Sequence, residues 1–70
     1  GNAGGEIMVE EKAPLLLNVF IQTVIDTVPY CYRTEKVEFQ ESGIYFTCLD
    51  TNSNYMFNYT DVLEIVPAEL

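Results

Sequence analysis

The sequence predicts a small all-β domain, and three observations carry that expectation. The second half, Glu35 to Val66, divides into short runs of β-branched and aromatic residues separated by clusters of Gly, Ser, Asp and Asn, the signature of strands joined by turns. Lys36-Val37-Glu38-Phe39-Gln40 alternates polar and apolar residues, a period of two that puts Val37 and Phe39 on one face. The earlier apolar stretch is rich in Val, Ile and Thr, whose stiff χ1 angles favour strands over helices. Seventy residues, 49% of them hydrophobic, allow one domain near the lower size limit for an unaided core.

Taken in order, residues 1–13 hold three of the four glycines and a Glu-Glu-Lys cluster without apolar period, and read as a flexible leader. Residues 14–67 are assigned to the single β domain and 68–70 to a tail. Pro14 to Val28 fits two patterns. A helix would begin at Pro14 and carry Asn18, Gln22 and Asp26 along one polar stripe, giving the alternative α+β fold: one N-terminal helix, Pro14 to Thr27, packed on an antiparallel sheet. A strand would place Leu17, Val19, Ile21, Thr23 and Ile25 on one face, and the β-branched composition decides for it. Val28-Pro29 breaks the element, and Tyr30 to Arg33 reads as a short edge strand.

After the strand at residues 36–40, Glu41-Ser42-Gly43 is expected to reverse the chain, with Gly43 supplying a positive φ. Ile44 to Leu49 is expected at the centre of the sheet, with Ile44, Phe46 and Cys48 on one face and Tyr45, Thr47 and Leu49 on the other. Phe46 and Cys48 are thus predicted core residues. Asp50 to Asn54 is a turn cluster in which Asn tolerates the left-handed region. Tyr55 to Tyr59 returns as a partner strand. Thr60 or Asp61 is expected to cap one helical turn before Leu63 to Val66 closes the sheet and Pro67 ends it. The run Phe57 to Ile65 resembles the strand, single helical turn and last strand that close SH3-like barrels. The resemblance covers the last third of the chain and is to an architecture shared by unrelated families, so it implies a partly open barrel of about five strands and no function.

Eleven carboxylates against Lys12, Arg33 and Lys36 give a net charge of −8, which would repel a phosphate backbone or an anionic leaflet. Neither direct nucleic-acid binding nor membrane binding is expected. With no signal peptide or spanning stretch visible, a cytoplasmic location is favoured. The absence of histidine removes the usual base for a Cys or Ser nucleophile and leaves too few N or S ligands for a zinc site. No catalytic residue, cofactor or metal is therefore assigned, and an enzyme is not expected. Cys31 and Cys48 are expected as reduced thiols, Cys48 the more shielded. Asn58-Tyr59-Thr60 matches a glycosylation acceptor, a pattern common by chance.

What remains is aromatic content: Tyr30, Tyr32, Tyr45, Tyr55 and Tyr59 form the candidate interaction surface, since Tyr gives large contact area and keeps a hydrogen-bonding tip. The alternative for each is a rim position on the core. The expected function is a non-enzymatic protein-binding or assembly module, with homodimerisation through an apolar edge strand at Leu15 to Ile25. The alternative is an acidic mimic of nucleic acid that occupies a basic DNA- or RNA-binding partner, steered by its charge.

Overall fold

The computed structural model describes residues 16–68; the expected leader and the last two residues of the expected tail lie outside them. Within that span the chain forms β1 (Leu17–Ile21), β2 (Tyr30–Thr34), β3 (Val37–Phe39), β4 (Gly43–Cys48), β5 (Ser53–Asn58), a 3-10 turn (Tyr59–Asp61) and β6 (Val62–Pro67). They make two three-stranded antiparallel sheets, ordered β2-β1-β6 and β3-β4-β5. The fold is all-β, and of the stretch that fitted both a helix and a strand, Leu17–Ile21 is a strand while residues 22–28 form a loop.

Alternation builds the core between the sheets. Val19 and Ile21 of β1 and Ile44, Phe46 and Cys48 of β4 are buried, the strand-period sets that the sequence places on one face. Both β1 and β4 are the middle strands of their sheets, so each is covered along both edges and on one face. Half-buried Tyr32, Val37, Tyr55, Phe57, Val62 and Ile65 close around them. Tyr32 sits 4.8 Å from Tyr55 and 5.7 Å from Phe46, ring centre to ring centre, within the range where tilted aromatic pairs attract.

Several details differ from expectation. β1 ends at Ile21 instead of running on to Ile25. Asp26 takes the chain out of the strand: its Oδ2 accepts from the Thr23 N–H at 2.9 Å and the Thr23 hydroxyl at 3.0 Å, while its own N–H donates to the Thr23 carbonyl at 3.1 Å. A short polar side chain that satisfies local backbone in this way competes with the ladder. Nor is β1 an edge strand, so Leu17–Ile21 of the dimer edge expected at Leu15 to Ile25 is already paired on both sides, by β2 and β6. Phe39 faces the same way as Val37 but is 68% exposed, because β3 ends there and the opposite sheet does not reach over it.

Gly43 does not have a positive φ; among the described residues only Asn52 does, at 57°. The glycine is needed for space. A Cβ there would lie 2.1 Å from the Phe57 carbonyl oxygen of β5, so the close approach of two backbones, not a left-handed turn, fixes the residue. The 3-10 turn is preceded by Asn58 without a side-chain cap, so neither Thr60 nor Asp61 acts as one. The Gln22 N–H instead donates to the Asp61 carbonyl at 3.0 Å, which satisfies the turn from a neighbouring loop.

Candidate interaction surface

The register brings all connections to two ends of the molecule. At one end lie the Gln22 to Pro29 loop, the Gln40 to Ser42 hairpin and the 3-10 turn. The Gln22–Asp61 hydrogen bond joins the first to the third, and the Tyr59 N–H, 3.4 Å from the Ser42 carbonyl, joins the third to the second. The Tyr59 hydroxyl also donates to the Gln40 carbonyl. At the other end lie the corner between β2 and β3 and the Leu49 to Asn52 turn. There the Leu49 N–H donates to the Arg33 carbonyl at 2.8 Å, and Leu17 pairs with Thr34.

The first end is apolar to a degree that core packing does not explain. Val24 is 99% exposed and Ile25 86%. Val28, Tyr30, Phe39, Tyr59 and Leu63 complete the set, so seven of the nine exposed large hydrophobic side chains among the described residues belong to this end by sequence and register. Leu49 belongs to the other end and Met56 to the outer face of β5. Single exposed apolar residues are ordinary, whereas a set gathered at one end is less so. The charged groups among them are Asp26, Glu41 and Asp61. Both described cations sit elsewhere: Arg33 contacts Asp50 at 2.8 Å and Lys36 contacts Glu38 at 3.5 Å. The apolar end is thus rimmed by carboxylates alone, among the described residues.

The five candidate tyrosines divide accordingly. Tyr30, opposite Ile21, and Tyr59 on the 3-10 turn are exposed at the apolar end. Tyr32 and Tyr55 face inward, half-buried against Phe46 and Phe57. Burial pushes the Tyr32 hydroxyl above its ordinary value, reinforced by Tyr55, Tyr30, Cys48 and Asp26. Tyr45 points to the outer face of β4 and lines a groove of about 340 Å³ with Thr34, Glu35, Lys36, Glu38, Thr47 and Leu49. That groove carries charges of both signs, among them the Lys36–Glu38 pair. The five tyrosines therefore do not form one surface. Val24, Ile25, Val28, Phe39 and Leu63 escaped the sequence reading because each was placed in a strand or a break; the Thr23-Val-Ile-Asp26 spacing, a loop closed by its own Asp, was the available signal.

Both cysteines are free, Cys31 exposed and Cys48 buried. Burial raises the Cys48 thiol, but hydrogen bonds from the backbone of Thr51, Asp50 and Arg33 and from the Thr51 side chain outweigh it and leave the thiol below its ordinary value. It lies among core side chains. No cluster of three or more His, Cys, Asp or Glu suited to a metal occurs among the described residues, and no described helix is long and apolar enough to cross a membrane. No family model matches the chain, nor does any curated protein or solved structure.

Proposed function

We propose that this chain is a non-enzymatic protein-binding or assembly module, and that it docks through its apolar end. The observation that carries the reading is the pair Val24 and Ile25, 99% and 86% exposed on a loop that Asp26 holds shut. A pre-formed loop loses little conformational freedom on binding, so its apolar side chains can convert burial into affinity at low entropic cost. Tyr30 and Tyr59 beside them supply amphipathic anchors. Since the rim is acidic, the partner fitted to it is a protein surface or peptide with apolar side chains flanked by Lys or Arg.

The architecture that presents this end is read as a partly open barrel of the SH3-like type. Two features support it: β2 and β3 follow each other across the two-residue Glu35-Lys36 corner, one in each sheet, and a single 3-10 turn joins β5 to β6. The test is affinity capture with the full chain and with Val24→Ser/Ile25→Ser, followed by binding measurements over a salt range. The reading expects a captured partner to be lost with the double variant and to weaken only modestly with salt. A partner that ignores the loop variant and dissociates steeply as salt rises would replace this reading with the charge-mimic alternative.

A further inference from the structure

A sheet edge is a row of unpaired N–H and C=O groups, and natural edges carry charge, proline, bulges or a short length to prevent pairing. Here β3 has only three residues and includes Glu38, β2 includes Arg33, and β6 holds Glu64 and Pro67 and is irregular against β1 at Phe20/Ile21. β5 differs from all of them. Its six residues, Ser53–Asn58, contain no charged residue, no proline and no glycine, and it stands at the end of its sheet, hydrogen-bonded on one side only among the described residues.

We infer that β5 pairs with β5 of a second copy of this chain, antiparallel about a twofold axis through Met56. Its pairing with β4 fixes the faces: Tyr55 and Phe57 lie opposite Phe46 and Ile44 of the core, while Asn54, Met56 and Asn58 face outward. A twofold axis perpendicular to the sheet keeps each face on its own side, so only residues of the same face can stand opposite one another. Centred on Met56, that rule sets Tyr55 against Phe57 of the second copy, Asn54 against Asn58, and Met56 against itself. Aromatic faces aromatic and amide faces amide, pairs that stabilise a ladder. The strand's own sequence is therefore complementary to itself, which identifies the occupant as a second copy. The junction extends β3-β4-β5 into a six-stranded sheet. Because the two β5 strands run in opposite directions, it also places the two apolar ends at opposite extremes, so the dimer is bivalent.

Two copies at −8 each repel, while the junction itself is uncharged, so dimerisation strengthens as salt screens the remainder. Sedimentation of the full chain over a salt and concentration series is expected to show a monomer–dimer equilibrium shifting toward dimer with salt. Met56→Lys lowers the net repulsion yet sets two like charges opposite each other at the axis; it should weaken the dimer at least about tenfold. Met56 is 54% exposed, so the fold should survive, as circular dichroism would verify. In a Cys31→Ser background, Met56→Cys should form a covalent dimer on mild oxidation faster than Glu38→Cys on β3. A monomer at every salt and concentration, a Met56→Lys dimer as strong as the parent's, or equal cross-linking at both cysteines would overturn the assignment. Partner binding at Val24 and Ile25 uses a different surface and stands or falls separately.

Discussion

The two ends of this molecule spend their side chains in opposite ways. The end at the β2–β3 corner is stitched: the buried Thr34 hydroxyl donates to the Thr47 carbonyl at 2.8 Å and lies 3.4 Å from the Lys36 N–H, and Arg33 reaches Asp50. The end at the Gln22 to Pro29 loop leaves Val24, Ile25, Val28 and Phe39 in water. Both ends turn the chain with comparable hydrogen bonding. They differ in whether side chains complete the fold or stay exposed to water, and in a domain with little stability to spare that difference separates residues the fold needs from those the proposed docking role would use.

Phe46 lies in the core between the two ends and sets the largest expected effect. Phe46→Ala should cost about 3–5 kcal/mol, enough to unfold much of the population, and hydrogen exchange should report the loss of protection at both ends together. If one end kept its protection, the ends would be independent units and the comparison would lose its basis. Thr34→Val comes next, because it removes a buried hydroxyl and leaves the Thr47 carbonyl without its donor. Urea unfolding should show a loss of about 1–3 kcal/mol. No change would mean that the corner is held by backbone alone.

Gly43→Ala sharpens the contrast from within the hairpin, since the added methyl meets backbone that must move. It should destabilise by about 1–3 kcal/mol in thermal unfolding; a neutral result would show that the strands can separate there without cost. Val24→Ser/Ile25→Ser is expected to change stability by only about 0.5 kcal/mol or less, although it removes two large apolar side chains. A large loss would show that these side chains pack on the fold, contrary to their exposure.

The smallest effect concerns Arg33 and Asp50, both about half exposed. The hydrogen bond from Arg33 holds the Asp50 carboxyl below its ordinary 3.8. A group whose folded pKa is depressed stabilises the fold above its unfolded value, and that contribution fades as pH falls through the folded one. Arg33→Met should therefore be slightly less stable than the parent near neutral pH, with the gap closing on acidification below the ordinary carboxylate value. A gap that stays constant to low pH would assign the difference to lost packing of the Arg stem.

Residues 16–68 show how far a single sequence reaches. Period-two patterning placed Val19, Ile21, Ile44, Phe46 and Cys48 on shared faces, because alternation is a local geometric property of an extended chain. Turn chemistry located the Asp50 to Asn54 reversal, where Asn52 adopts the left-handed conformation. The β-branched composition of Val19 to Val28 favoured strand over helix for the same local reason, and the strand forms only over Leu17–Ile21.

What the tertiary structure alone decided is which strands are edges and which apolar residues find a partner. Val24 and Ile25 continue the strand pattern perfectly in sequence, yet a carboxylate two bonds from the backbone at Asp26 closes a loop and strands them in water. Gly43 looked like a turn glycine; its need arises from Phe57, fourteen positions away in number and 2.1 Å from where its Cβ would be. For Tyr32 and Tyr55 the sequence left surface anchor and core rim both open, and it is the opposing sheets that bring their rings within 4.8 Å. Local patterning specifies a residue's face, but exposure depends on what lies across from that face, and contacts between segments distant in sequence supply it.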